Sequence, residues 1–171
     1  QFKRHFRNLK QVFMYITDEC NINCVQCIYK PNITFHNHRE IKLETALALL
    51  SSFRKLGAGK VTFLGGEPTL YGAYEDHRPL FALIRGAKEL GYEYVRLDTN
   101  GQFKQELLLQ PDFQKLDEIA FSLDGFSSET NDPVRGKNTF NNCVSRIKKA
   151  VELGYKVTIT CCVHNRFVER D

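Results

Sequence analysis

No run of apolar residues in this chain approaches the roughly eighteen that a membrane-crossing helix needs. Residues 1–10 are basic but have no apolar core, so they do not read as a secretion signal, and a soluble, cytoplasmic protein without membrane contact is expected. Repeats, low-complexity tracts and long polar linkers are missing as well. Nothing therefore divides the 171 residues, 42% of them hydrophobic, into more than one ordinary domain. Strong charge of either sign is also lacking. With a formal net charge of +4, the basic residues Lys3, Arg4, His5, Arg7 and Lys10 read as a solvated arm over 1–10, and no nucleic-acid partner is expected. The chain has no initiator methionine and stops at Asp171 soon after a strand-like run, which fits a fragment.

What is present in quantity is cysteine, six in all, and without a secretion signal that number suits a reducing compartment. Three of them fall within eight residues, Cys20-x3-Cys24-x2-Cys27. Two disulfides would need four partners and would strain such short loops, so the sulfurs read as metal ligands. Two chemistries fit. An iron–sulfur cluster is held by thiolates, and since the next cysteine is the distant Cys143, three ligands would leave one iron open to a substrate or cosubstrate. A structural zinc would instead take His36 or His38 as its fourth ligand.

Four more landmarks follow the cysteines in order. They are Gly65-Gly66-Glu67-Pro68, Thr99-Asn100-Gly101, Ser122-Leu123-Asp124-Gly125, and Arg135-Gly136 with Phe140 just beyond. In this combination the chain resembles the radical S-adenosylmethionine (radical SAM) superfamily from about Gln11 to Asn165, with most likeness to its peptide-maturase, SPASM-type subgroup. The resemblance implies an enzyme with a [4Fe-4S] cluster on Cys20, Cys24 and Cys27. S-adenosyl-L-methionine would chelate the fourth iron through its amino and carboxylate groups. Its reductive cleavage would give methionine and a 5′-deoxyadenosyl radical that abstracts a substrate hydrogen. An external electron donor of the flavodoxin or ferredoxin type is implied, with peptide or protein modification as the leading activity. The alternatives are a small-molecule substrate in cofactor biosynthesis, and a non-catalytic iron–sulfur module for electron transfer or regulation. No cysteine-rich extension of the peptide-maturase kind is present, and the residue before the third cysteine, aromatic or histidine in many relatives and near the adenine, is Gln26.

The hydrophobic pattern supports an α/β fold. Strands are predicted near 11–17, 60–64, 93–98, 118–123 and 156–163. Between them run helical stripes: Leu43, Leu47, Leu50; Leu80, Ile84, Ala87; and Phe140, Cys143, Val144, Ile147, Val151. Pro79 suits a first helical turn, Gly57, Gly91 and Gly154 suit helix ends, and a short helix over Phe103–Leu109 should stop before Pro111. The resemblance implies a partial (β/α) barrel over 11–171, with a parallel sheet of about five strands and the last βα unit missing or beyond the end. Alternation turns Val95, Leu97, Ile119, Phe121, Leu123, Val157, Ile159, Cys161 and Val163 toward the helices, and Arg96, Asp98, Ser122, Asp124, Thr158, Thr160 and Cys162 inward. That polar interior reads as a ligand cavity, unless Arg96 and Asp98 merely pair with each other.

Site roles follow from the resemblance. The turn Gly65, Gly66, Glu67, Pro68 would meet the SAM ammonium, its glycines allowing close backbone approach. Ser122 and the fork of Arg135 would take the carboxylate. Asn100 and Asp124 would face the ribose or the substrate, and Val163 the adenine. Cys162 is a candidate hydrogen donor to a substrate radical, whereas Cys143 and Cys161 read as core and His36 and His38 as surface residues.

Overall fold

The computed structural model describes residues 9–29 and 39–163. Five parallel strands lie side by side in chain order: β1 (Gln11–Thr17), β2 (Lys60–Gly65), β3 (Tyr94–Thr99), β4 (Glu118–Ser122) and β5 (Val157–Thr160). Parallel neighbours need crossovers. These are α1 (Leu43–Lys55), α2 (Arg78–Glu89), 3-10 turns at Gln105–Leu109 and Phe113–Lys115, and the pair α3 (Ser128–Arg135) and α4 (Thr139–Glu152). The predicted α/β partial barrel is the fold that forms.

Alternation divides the sheet's faces. Met14, Ile16, Phe63, Leu97 and Phe121 are buried in one core with Leu50 of α1, Leu80 and Ile84 of α2, and Cys143 of α4. Helix ends are marked as the residues suggested: Gly57, Gly91 and Gly154 all take positive φ, at 107°, 85° and 84°.

Three expectations need correction. The segment expected as a helix over Phe103–Leu109 is a 3-10 turn over Gln105–Leu109, because Gln110, preceding Pro111, is extended at ψ 131° and leaves no room for a second turn. β5 ends at Thr160, not Val163, since its one neighbour, β4, supplies its last partner at the Ser122–Thr160 pair. Ile159 and Cys161, assigned to the helical face, are exposed on this edge, with Ile159 at 55%. The third correction adds an element, α3. It is capped by reciprocal hydrogen bonds between Ser127 and Thr130, and contains Pro133, which limits its length.

The concave face is polar on the side of β3 to β5, as alternation indicated, and Arg96 Nε pairs with Asp98 at 2.6 Å. On β1 it is aromatic, with Phe13 60% and Tyr15 48% exposed. At the amino ends of the strands Glu118 is 3% exposed and gathers partners from both neighbouring strands. It accepts from the Tyr94 hydroxyl, from Thr158 Oγ1 at 2.8 Å and from Lys156 Nζ at 3.1 Å, and pairs with Arg96 Nη1 at 3.2 Å. Burial alone would raise its pKa, but these hydrogen bonds and the Arg96 charge outweigh it and hold the carboxyl below its ordinary value of 4.5. A lowered folded-state pKa adds stability that is fully present above the ordinary value and disappears as pH falls through the lowered one. Urea unfolding of Glu118→Gln should show a loss of about 1–2 kcal/mol at pH 7 that shrinks toward pH 3. Equal losses at both pH values would contradict an ionised Glu118.

Candidate functional site

The carboxyl ends of the five strands open into one cavity of about 390 Å³. Its lining includes Cys20, Cys24, Cys27, Gly65, Gly66, Glu67, Asn100, Ser122, Arg135 and Cys162, so most of the residues singled out from sequence meet there. Val163 is 78% exposed, and neither it, Pro68 nor Asp124 belongs to the lining. His36 and His38 lie outside the described residues. A larger cavity of about 570 Å³, between the start of α2 and residues 102–110, contains none of the cysteines.

The loop that carries the cysteines is held by backbone contacts from β2. Gly66 N–H donates to Thr17 O at 2.8 Å and Glu67 N–H to Glu19 O at 2.6 Å. A Cβ on Gly65 would stand 2.4 Å from Thr17 O, and one on Gly66 only 2.1 Å from Glu19 O. The two glycines are thus demanded by contact with the chain entering Cys20, a reason other than the approach of a cofactor. Glu67, fully buried, accepts from Thr69 N at 3.1 Å and from Thr69 Oγ1 and Thr99 Oγ1 at 2.7 Å on one oxygen, and from Asn100 N at 2.7 Å on the other. Burial raises its pKa above the ordinary value, and those four hydrogen bonds offset only part of that rise. The carboxylate therefore ties the turn after β2 to the turn after β3, with little acceptor capacity left for a ligand.

Asn100 continues the tie. Its Nδ2 lies 3.8 Å from Cys20 Sγ and donates to Asn21 Oδ1 at 2.8 Å, while its Oδ1 accepts from Gln102 N at 2.8 Å. Asp124 is likewise committed inside the protein. It pairs with Arg135 Nε at 2.7 Å, accepts from Cys162 N at 2.7 Å, and receives the carboxamide N–H of Gln26. Cys24 Sγ–H points at Arg135 O across 4.0 Å, and Val25 N–H donates to Val134 O at 2.9 Å, docking the cysteine loop on the end of α3. Among these partners, α3 and its buried Asn131, whose Oδ1 accepts from Asp124 N at 3.0 Å, were not foreseen, because nothing marks a lone asparagine in a polar segment. Tyr15 and Tyr29, hydroxyl to hydroxyl at the cavity wall, were also missed; continuing the alternation into β1 would have found Tyr15.

The donor set suits a thiolate-bound metal. Burial, with smaller contributions from Glu67 and the neighbouring thiols, pushes Cys20 up to about 12, and burial also raises Cys24 against the pull of Arg135. Such thiols stay protonated at neutral pH unless a coordinated cation deprotonates them. Among the described residues no three Cys, His, Asp or Glu side chains are grouped tightly enough to hold a single metal ion. Three cysteines lining one cavity supply thiolates of the kind that hold an iron–sulfur cluster.

The chain matches the model of the Radical SAM superfamily over residues 14–171. A probable GTP 3′,8-cyclase of Saccharolobus solfataricus is 32% identical over 151 residues, which cover 88% of this chain and 46% of that protein. The GTP 3′,8-cyclase of Limosilactobacillus fermentum is 32% identical over 143 residues, 82% of this chain and 41% of that one. The chain therefore spans under half the length of these relatives. Among solved structures, Streptococcus suis SuiB bound to S-adenosylmethionine has a TM-score of 0.72 at 18% identity, covering 95% of this chain and 35% of that one. Native anSMEcpe with bound AdoMet has a TM-score of 0.67 at 20% identity, covering 90% and 44%. Methylornithine synthase gives 0.72 at 19%, covering 94% and 46%. At these identities the structures share the fold.

Gly66→Ala puts a methyl group into the Glu19 carbonyl. It should cost about 2–3 kcal/mol in urea unfolding and sharply lower the iron and sulfide taken up on anaerobic reconstitution. Normal uptake would show that the β2 turn does not set the cysteine loop.

Proposed function

Because the chain belongs to the radical SAM superfamily, we propose that it is the core of a radical SAM enzyme that acts on a small molecule of the nucleotide class. The observation that carries the reading is the meeting of three cysteine thiols, the Gly65–Gly66 turn and Arg135 on one cavity at the carboxyl ends of parallel strands. In this reading Cys20, Cys24 and Cys27 would hold a [4Fe-4S] cluster, which would supply the electron for reductive cleavage of S-adenosyl-L-methionine to methionine and a 5′-deoxyadenosyl radical able to take a hydrogen atom from the substrate.

The residues divide the work. Cys20, Cys24 and Cys27 hold the cluster, and Asn100 Nδ2 supports the Cys20 sulfur. Arg135 supplies a cation and Ser122 a hydroxyl at the cavity wall for a carboxylate. The backbone of the Gly65–Gly66 turn offers acceptors to an ammonium, and Glu67 acts by fixing that turn, not by contact. The concave face below, with Tyr15 and Leu64 on one side and Asp98 and Thr160 on the other, would receive the substrate.

The motifs alone favoured a peptide substrate. Relatives 32% identical and named GTP 3′,8-cyclases favour the alternative of cofactor biosynthesis from a small molecule. The structures of peptide-bound anSMEcpe and of SuiB lend the fold alone, at 21% and 18% identity. An external one-electron donor of the flavodoxin or ferredoxin type completes the proposal.

Anaerobic reconstitution with iron and sulfide, followed by dithionite and S-adenosyl-L-methionine, should yield methionine and 5′-deoxyadenosine, and GTP should raise the yield. A sulfide-containing chain that forms neither product would support the electron-transfer reading instead. Zinc without sulfide would end the proposal.

A further inference from the structure

Gln26 precedes the third cysteine, and its carboxamide is turned away from solvent. An ionised aspartate can only accept, so the bond from Gln26 Nε2 to Asp124 Oδ2 fixes which way the amide lies. Its Oε1 is then left buried with no partner among the described residues. Leaving a buried acceptor unpaired is unfavourable, so this orientation persists because the bond on the other side outweighs it.

Asp124 has a side chain with no exposed surface and stands where three separate pieces of chain meet. Oδ2 faces both the Gln26 amide and, at 2.7 Å, Arg135 Nε, while Oδ1 takes the backbone N–H of Cys162 at 2.7 Å. Its own N–H is held by Asn131 Oδ1 at 3.0 Å, which places the residue on the frame of α3. Arg135 Nε is buried and not aligned to donate to any acceptor among the described residues, so the pair with Asp124 is one of charge. The cysteine loop and the guanidinium at the cavity wall therefore share a single anchor.

We propose that Asp124 is a positioning residue that, through the carboxamide of Gln26 on one side and the guanidinium of Arg135 on the other, sets the cysteine loop and the carboxylate-binding arginine in register. This rests on the reading of the cavity as a cluster and S-adenosyl-L-methionine site, of whose lining Gln26 is a part and Asp124 is not. The two halves of the bridge do different things. The Gln26 half is a hydrogen bond that needs one donor and one acceptor. The Arg135 half needs the negative charge to stand at position 124.

A swap separates them. In Gln26→Glu two carboxylates face each other. In Gln26→Glu combined with Asp124→Asn the hydrogen bond returns with its polarity reversed: Asn Oδ1 still accepts from Cys162 N, but the charge has moved away from Arg135. Wild type, Gln26→Leu, Gln26→Glu and the double variant are reconstituted anaerobically. Iron and acid-labile sulfide per chain are measured, and S-adenosyl-L-methionine is titrated against the electron paramagnetic resonance spectrum of the reduced cluster. Gln26→Leu and Gln26→Glu should lower cluster uptake by about tenfold. The double variant should recover uptake to within about twofold of wild type, while its affinity for S-adenosyl-L-methionine stays about tenfold weaker. Cluster uptake by Gln26→Glu equal to wild type would overturn the proposal. So would a double variant no better than Gln26→Glu, or one whose affinity returns together with its cluster. A wild-type chain that takes up no iron and sulfide would overturn the cluster reading itself and this inference with it, a result distinct from any difference among variants.

Discussion

A carboxylate sealed from water holds the top of this half barrel together. Glu67 sits at the end of β2 with no exposed surface, and its two oxygens accept four hydrogen bonds from the turns after β2 and β3. Removing a charge from water is costly, and hydrogen bonds recover that cost only when every lone pair finds a donor. Here Oε1 takes three donors and Oε2 one, so the bonds offset part of that cost while burial still holds the pKa up, and the consequence is geometric: the β2 turn cannot move without the β3 turn. The cysteine loop inherits that rigidity, because Glu67 N–H holds Glu19 O next to Cys20 and Asn100 Nδ2 reaches the Cys20 sulfur.

The same device recurs at two other places. Asp124 joins the cysteine loop, α3 and the segment after β5, while Glu118 joins β3, β4 and β5 at the opposite end of the strands. Each buried acid lies at an end of the strands and adds side-chain ties to the packing that the core supplies. Sheets of this kind usually fill the concave face with branched apolar side chains. Here charged groups brace that face from within, so the strands stay in place without a packed interior, and space is left for a ligand.

The parts legible in sequence were those marked by several residues at once. Three cysteines, a glycine pair and the turns after β3 and β4 each form a short string, and they converge on one cavity. The apolar stripes of α1, α2 and α4 were equally plain, except that Val151, counted in the last of them, is exposed. α3 carried no such signal: of its eight residues Val134 is the only buried apolar one, and Pro133 argues locally against a helix. β5 was drawn too long because alternation continues through Val163 after β4 has stopped pairing at Ser122. For Gly65 and Gly66 the residues were right and the reason differed. A Cβ that meets a carbonyl of a distant segment is a fact of tertiary structure, and no local pattern encodes it.

Three strands suggested a uniformly polar interior, and β1 supplies what they lacked. Tyr15 lines the cavity together with Asp98 and Thr160, so β1 presents an aromatic ring there and β3 and β5 a carboxylate and a hydroxyl, while Phe13 and Arg96 lie outside that lining. That division follows from the strand order, since the edge strand β1 brings its ring to the cavity while β3 and β5 bring the acid and the hydroxyl.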